Sequence, residues 1–202
     1  MKKSSRLLLL CLLPLPLSGC VTALVGAGAF GVMSATDRRS TGAQADDQVM
    51  EVRIQNTALT HLRSNNTMQG FEPKLSVVSF NRQVLLMGLV ASEADKAFVE
   101  RVARAQPNAE KIYNYIQVAT SARGFGEVSN DSWVTSKVRT TLLGTKGVSA
   151  NHVKVVTYNG VTYVMGILTP EEQALVSNTV STTAGVQQVV TLYETFVPSN
   201  VR

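Results

Sequence analysis

The chain has 202 residues and a formal net charge of +5, from 19 Lys and Arg against 14 Asp and Glu. Three of the cations, Lys2, Lys3 and Arg6, stand at the start, and without them 16 basic residues face 14 acidic ones, a net charge of +2. So weak a balance argues against a nucleic-acid-binding protein, which needs a concentrated basic stripe.

A secretory signal opens the chain. Its basic start is followed by an apolar run from Leu7 to Leu17, which is too short to span a bilayer. The run ends in Leu17-Ser18-Gly19-Cys20, which resembles the lipobox of bacterial lipoproteins, where the Cys is acylated and becomes the new N-terminus. Residues 1–19 are therefore predicted to be a lipoprotein signal peptide and Cys20 to carry palmitate-type acyl chains; an ordinary secretory signal with an accidental Cys is the alternative.

The residue after the predicted lipidation site indicates to which membrane the lipoprotein is sorted. Position 21 is Val, whereas an Asp there would, by analogy with other lipoproteins, favour retention in the inner membrane. We therefore expect a protein that is lipid-anchored in the outer membrane and faces the periplasm, with exposure at the cell surface left open. Residues 20–45 are expected to form a lipidated linker, polar and turn-rich from Ala35 onward.

An internal repeat organises the rest of the chain. Four pairs of segments align in order: Val49–Leu59 with Trp133–Leu143, Leu75–Val90 with Val153–Leu168, Ala91–Val102 with Thr169–Val180, and Ala109–Val118 with Val186–Thr195. The repeat predicts one unit over residues 46–119, a Gly- and Ser-bearing linker over 120–130, and a second unit over 131–197.

Each unit has the pattern α-β-β-α-β. Asp47 and Asp131 stand near the expected N-cap of the first helix in each unit. Asn159-Gly160 predicts a tight type I′ hairpin in the second unit, and Asn81-Arg82 a less ideal one in the first. Pro170 suits the first turn of the second unit's second helix.

These motifs resemble the BON domain family. The similarity lies in Asn159-Gly160-Val161-Thr162-Tyr163-Val164-Met165-Gly166 and Gly185-Val186-Gln187-Gln188-Val189, and unit one matches more weakly through Val84-Leu85-Leu86-Met87-Gly88. With the lipobox and Thr36-Asp37-Arg38-Arg39-Ser40, the arrangement resembles the dual-BON outer-membrane lipoproteins.

The resemblance implies an α+β fold of two BON domains, each a three-stranded mixed sheet covered on one face by two helices. It also implies a membrane-associated module without enzymatic activity. Such proteins bind anionic phospholipid, phosphatidylglycerol or cardiolipin, chiefly through the second unit, and support outer-membrane integrity at division sites.

The first helix of unit two has two apolar faces. At about 100° per residue, Val134, Val138 and Leu142 form a stripe suited to a sheet, and Trp133, Ser136, Thr140 and Leu143 fall roughly opposite. An outward aromatic bordered by cations suits a membrane surface. The predicted phospholipid-binding residues are Trp133, Val134, Lys137, Arg139, Thr140 and Leu143, with Val134 at the rim.

A buried interface is the other reading of such a face. The equivalent helix of unit one carries Val49, Val52 and Leu59 on its reverse, together with Glu51 and no aromatic residue. That helix is therefore expected to dock between the two units, and the second unit's helix to contact lipid.

No constellation in the sequence predicts an enzyme. His61 and His152 lack partners at metal-ligand spacing, and adjacent Glu171 and Glu172 point apart on a helix. No catalytic residue, metal or cofactor is predicted. The chain is expected to be a monomer, and two rivals to lipid binding are a periplasmic protein–protein adaptor that uses the same helix face and a purely structural spacer.

Overall fold

The computed structural model describes residues 37–118, 121 and 124–198. The predicted signal peptide, Cys20 and most of the lipidated linker lie outside these residues.

The described residues form two units with the predicted order of elements. The helices and strands are α1 Thr41–Ser64, β1 Lys74–Phe80, β2 Gln83–Val90, α2 Glu93–Arg104 and β3 Lys111–Val118 in unit one, and α3 Phe125–Leu143, β4 Val153–Tyr158, β5 Val161–Leu168, α4 Pro170–Ser181 and β6 Gln188–Thr195 in unit two. A 3₁₀ turn, Ala150–His152, precedes β4. The α+β fold with two α-β-β-α-β units is confirmed.

Each unit has a three-stranded mixed sheet with its second strand in the centre. The orders are β1-β2-β3 and β4-β5-β6, and in each sheet the first pair is antiparallel and the second parallel.

Both central strands contain a Met-Gly pair, Met87-Gly88 and Met165-Gly166, at which the backbone of the strand lies very close to the backbone of a neighbouring segment. A Cβ on Gly88 would lie 2.3 Å from the Lys74 carbonyl oxygen, and one on Gly166 would lie 2.9 Å from that of His152. Glycine is therefore required by space at these positions.

The two sheets pack against each other, and the helices cover their outer faces. Two hydrophobic cores lie between helices and sheet, one in each unit, and a third core joins the units. The buried members of the third core are Phe80, Leu85, Met87, Tyr163, Met165, Ile167 and Leu192. The molecule is thus a stack of four layers, helices–sheet–sheet–helices, and both central strands are covered on both faces.

The expectation that the first helix docks between the units is wrong. On its reverse face Val49 is 45% exposed and Val52 60% exposed, so neither is covered by unit two. The apolar residues that join the units lie instead on the sheets, where continuous apolar strands can be buried from both sides.

Polar contacts at the edges of the third core also join the units. Lys154 pairs with Glu51 and donates to the Ser79 carbonyl at 3.0 Å. The Asn81 amide donates to both carboxylate oxygens of Glu194 at 3.0 Å. These contacts fix the lateral position of one sheet on the other.

The end of the predicted linker ties both units together. Arg38 donates to the Ile167 carbonyl at 2.8 Å and pairs with Glu172 through its two terminal nitrogens, Nη1 and Nη2. Its guanidinium carbon lies 4.1 Å from the Phe196 ring centroid. Arg39 pairs with Asp37 at 2.8 Å and Asp47 at 3.0 Å and lies over Phe80 at 4.2 Å. The segment before α1 is therefore held at the junction of the units.

The ion pair of Arg38 also changes the titration of its acidic partner. Burial raises the pKa of the Glu172 carboxyl, but hydrogen bonds from Arg38 and from the Thr169 backbone outweigh burial and hold the pKa below its ordinary value. Glu172 therefore stays ionised at neutral pH, and its contribution to stability is lost as the pH falls through the lowered pKa.

The predicted N-caps are wrong, because both helices begin earlier than the sequence suggested. Helix α1 begins at Thr41 with Ser40 as its cap, and α3 begins at Phe125 after Gly124. Asp47 and Asp131 lie inside the helices, 2% and 5% exposed. Their carboxylates accept hydrogen bonds from backbone N–H groups of the hairpin turns, so they stabilise the turns rather than the helix ends.

The two hairpin turns have the same conformation despite their different sequences. Asn159 and Gly160 have φ of 51° and 76°, and Asn81 and Arg82 have 51° and 63°. Asp131 accepts from the Asn159 and Gly160 N–H groups at 2.7 and 3.0 Å. In unit one Asp47 does the same for its turn, which lacks the glycine.

Candidate functional site

Helix α3 presents one face to the core of unit two and another to solvent. Val134, Val138 and Leu142 are 1%, 0% and 2% exposed and belong to the core between the helices and the sheet. The prediction of Val134 as a rim residue of the lipid-contacting face is therefore wrong, because its side chain is buried. It lies about 100° around the helix from Trp133, which places it in the core stripe. The outer face of α3 consists of Trp133, Ser136, Lys137, Thr140 and Leu143.

Trp133 is exposed but firmly seated. Its side chain is 54% exposed. One edge of the six-membered ring packs on Gly185 in the turn before β6, where a Cβ would lie 2.8 Å from Cζ3. The Lys137 ammonium lies 4.6 Å from the indole centroid, a cation–π contact. The indole is thereby held in one position with half of its surface open, so little conformational entropy is left to lose on binding.

Changing Gly185 to Ala should disturb the indole without altering the sequence of α3, although the new Cβ would also lie 3.1 Å from Cγ2 of Val134. Gly185 has φ of 99°, a conformation that side chains rarely adopt, and the added Cβ would overlap Cζ3 of Trp133. We expect a loss of about 1–3 kcal/mol in unfolding free energy and a shift in the emission of the chain's single Trp, measured by denaturant titration and fluorescence. An unchanged emission spectrum would show that Gly185 does not position the ring. Gly126, where nothing lies within 4 Å of an added Cβ, is the control position.

The opposite end of the outer face is apolar and cationic. Leu143, the last residue of α3, is 70% exposed. Arg139 is exposed and donates from Nη2 to the carbonyl of Val155 on edge strand β4 at 2.7 Å. Gln55, at the corresponding position of α1, also donates to its edge strand, but to the Leu75 carbonyl, at 2.6 Å. Like Gln55, Arg139 therefore covers the edge of a strand. Unlike Gln55 it carries a positive charge, and its remaining N–H groups can donate to a ligand.

A stripe of hydroxyl side chains on α3 was missed as a unit in the sequence. The stripe consists of Ser132, Ser136 and Thr140, and each hydroxyl donates to the backbone carbonyl four residues earlier, at 2.9–3.0 Å. Thr141, about 100° further around α3, and Thr145, after its end, make the same kind of bond. Because these donors are already satisfied, moving this face out of water costs less than moving free hydroxyls. The spacing Ser132-Ser136-Thr140 was the available signal.

The electrostatics of this face favour an anionic partner. Within the described residues, no carboxylate lies within ion-pair distance of Lys137, Arg139 or Lys146, whereas Lys154 is paired with Glu51. The corresponding part of α1 carries Glu51 beside Val49 and Val52. The two helices therefore expose apolar residues in different electrostatic settings, and an anionic surface would be attracted to α3.

The described part of the chain offers neither a metal cluster nor a membrane span. Over residues 37–118 and 124–198, no group of three or more His, Cys, Asp and Glu side chains could hold a metal ion. No helix in the same ranges has the length and apolar character needed to cross a bilayer.

The chain is similar to known proteins over most of its length. The BON domain model matches residues 52–120 and 130–192. The chain is 30% identical over 178 residues to the outer membrane lipoprotein DolP of Haemophilus influenzae, covering 88% of this chain and 89% of that protein. It is also 30% identical over 154 residues to a 21 kDa hemolysin of Actinobacillus pleuropneumoniae, covering 76% of each.

Among solved structures, the type III secretion protein CdsD of Chlamydia trachomatis is similar at 16% identity with a TM-score of 0.30, and the match covers 72% of this chain and 63% of that one. The two family matches fall on the two structural units, and the long alignment to the lipoprotein spans both. The chain therefore belongs to the BON domain family, as a two-domain protein of the outer-membrane lipoprotein DolP type.

Proposed function

We propose that this protein is anchored in the outer membrane through an acylated Cys20 and contacts anionic phospholipid with the outer face of α3 and Arg139. The observation that carries the proposal is the seated, half-exposed Trp133 between Gly185 and Lys137. A tryptophan held in this way suits the interface of a bilayer, where its ring is buried and its N–H stays hydrated.

The binding free energy expected for the outer face of α3 is enough to orient a protein that is already tethered to the membrane, but not to anchor the protein by itself. Burial of Trp133 and Leu143 contributes roughly 2 kcal/mol each at most. Lys137 and Arg139 add about 1 kcal/mol each near an anionic surface. Stable membrane attachment generally takes two signals, and the acyl chains at Cys20 would supply the other one.

Replacing Trp133 by Glu should abolish the affinity for anionic vesicles. The variant loses the buried ring and adds a repelled charge, together about 3 kcal/mol or a hundredfold in affinity. The measurement is co-sedimentation with phosphatidylglycerol vesicles. It uses the mature chain, residues 20–202, with Cys20→Ser, so that no acyl group holds it to the bilayer.

The repeat provides a matched control for this experiment. Val49 occupies the position of Trp133 in unit one and is 45% exposed, so Val49→Glu places the same charge on the equivalent helix. We expect Val49→Glu to bind vesicles like the wild type. Unaltered sedimentation of Trp133→Glu would refute the proposal, and equal losses in both variants would assign binding to net charge alone.

Lipid composition separates the proposal from the adaptor and spacer rivals. A lipid-contacting face should bind phosphatidylglycerol or cardiolipin vesicles more tightly than phosphatidylcholine, and salt should weaken that preference by screening. Saturable binding to one envelope protein with no lipid preference would favour the adaptor. Absence of both would favour the spacer.

We further propose that lipid contact underlies the role in outer-membrane integrity at division sites that the resemblance to dual-BON lipoproteins implies. A full-length fluorescent fusion should be enriched at sites of cell constriction. The Trp133→Glu fusion should be distributed over the whole cell envelope, whereas the Val49→Glu fusion should localise like the wild type. A Trp133→Glu fusion that still gathers there would show that targeting is independent of this face.

A further inference from the structure

A cleft opens beside the outer face of α3, where the end of that helix passes the edge of the second sheet. Its volume is about 480 Å³, within the range of roughly 300–1,000 Å³ that small ligands occupy. Its walls come from α3, from the 3₁₀ turn and from edge strand β4. The residues that decide its chemistry are Arg139, Leu142, Leu143, Ala150, Val153 and Lys154.

The cleft has an apolar wall and a cationic rim. Leu142 is 2% exposed and forms the floor, while Leu143, 70% exposed, stands at the mouth. Arg139 is fixed at the rim by its bond to the Val155 carbonyl at 2.7 Å. Lys154 completes the rim, although Glu51 of unit one and the Ser79 carbonyl take up part of its hydrogen-bonding capacity. None of the described residues that line the cleft carries a carboxylate.

This chemistry matches an anionic amphiphile. A phosphate would find a guanidinium already held in place, which favours charge-assisted hydrogen bonds. An acyl chain would find the leucine and valine wall. Arg139 and Leu143 also border the membrane-contact face, so the cleft opens directly from the surface that would meet the lipids.

We propose that the cleft binds one anionic phospholipid molecule, with its phosphate at Arg139 and one acyl chain along Leu142, Leu143 and Val153. The choice of lipid as the occupant rests on the proposed function. The outer face of α3 alone would contact the bilayer surface without binding any particular lipid molecule. The cleft would add a site that binds one lipid per protein.

The test uses monomeric dihexanoyl-phosphatidylglycerol below its micelle concentration and the mature Cys20→Ser chain. Binding is followed through the backbone amide NMR shifts of Ala150, Val153 and Val155. The zwitterionic dihexanoyl-phosphatidylcholine and inorganic phosphate serve as comparison ligands. Saturating shifts at these amides with phosphatidylglycerol, and weaker shifts with both comparison ligands, are the expected result.

Two variants probe the cleft independently. Ala150→Phe fills it from the 3₁₀ turn. Arg139→Gln removes the charge but leaves a side chain that can donate to the edge strand, as Gln55 does to the Leu75 carbonyl in unit one. Each variant should weaken monomeric lipid binding about tenfold, the effect of losing about 1.4 kcal/mol, while Ala150→Phe should still sediment with vesicles. Folding of each variant is checked by its amide spectrum.

The outcomes separate the two proposals. Monomer binding that persists in Trp133→Glu, together with lost vesicle binding, supports both. Vesicle binding without cleft shifts overturns the lipid site and leaves the membrane face standing. Cleft shifts with unaltered vesicle binding in Trp133→Glu support the lipid site and overturn the face. Shifts by inorganic phosphate as strong as those by lipid, or wild-type affinity in both cleft variants, would overturn the lipid site.

Discussion

Replacing Asp47 by Ala is expected to lower the free energy of unfolding by about 3–5 kcal/mol, because it breaks a buried ionic network. The carboxylate accepts from the Asn81 and Arg82 N–H groups at 2.8 and 2.7 Å and from the Ser79 hydroxyl at 2.7 Å, and it pairs with Arg39. Without it, two non-glycine residues remain in left-handed conformations and buried donors lose their acceptor. Urea denaturation measures the loss.

Two other aspartates test this explanation. Asp131→Ala should cost less, because Gly160 adopts its left-handed conformation without strain. Asp46→Ala removes two peripheral contacts, with Arg82 at 2.9 Å and with the Asn108 amide at 2.7 Å, and should cost much less than Asp47→Ala. Equal losses for Asp47 and Asp131 would mean that the turn conformation is not what Asp47 stabilises.

The fold of each unit was predictable because it rests on local patterns and on a repeat. The alternation of helical and strand periods and the Asn159-Gly160 turn identify the elements, and Pro170 begins α4 as expected. The helix starts were misplaced because Asp is common both at N-caps and as a buried acceptor, and sequence alone does not tell these roles apart. The hydrogen bonds of Asp47 and Asp131 to turns about 30 residues away depend on tertiary packing.

The docking of the units was not predicted, although a signal was present. Strand β2 reads Gln-Val-Leu-Leu-Met-Gly-Leu-Val and β5 Val-Thr-Tyr-Val-Met-Gly-Ile-Leu, with little alternation of polar and apolar residues. A strand with one solvated face would alternate, so these runs indicate burial on both faces. The second apolar faces of the helices led to a predicted interface on the helices, whereas the structure has it on the sheets.

The candidate site was predicted in part. Periodicity placed Trp133, Thr140 and Leu143 on the outward side of α3 and Val138 and Leu142 in the core, as the structure has them. The contacts of Trp133 with Gly185 and of Arg139 with β4 could not be predicted, because they join segments that are distant in sequence. The cleft beside Arg139 exists only through those contacts.

Replacing Met87 by Glu is expected to separate the two units while leaving each one folded. Met87 is fully buried in the core between the sheets, and a lone carboxylate there would cost several kcal/mol. Separation relieves that cost, because each unit keeps its own core between helices and sheet. Small-angle scattering should show a larger radius of gyration, and amide relaxation should show two bodies tumbling separately. Its neighbour Leu86 belongs to the core of unit one, so Leu86→Glu should unfold that unit instead.

Titration of Tyr163 gives an independent readout of the same separation. Burial raises the pKa of the Tyr163 phenol from 10.0 to about 12, and Tyr115 of unit one lies against it with ring centroids 4.9 Å apart. Docking therefore favours the neutral phenol, and this contribution is complete below about pH 10 and is lost as the pH rises through about 12. In Met87→Glu the Tyr163 pKa should return toward 10, measured by ultraviolet titration against a Tyr163→Phe reference. A pKa that stays near 12 while the units tumble separately would mean that the phenol is buried within unit two and that docking does not control it.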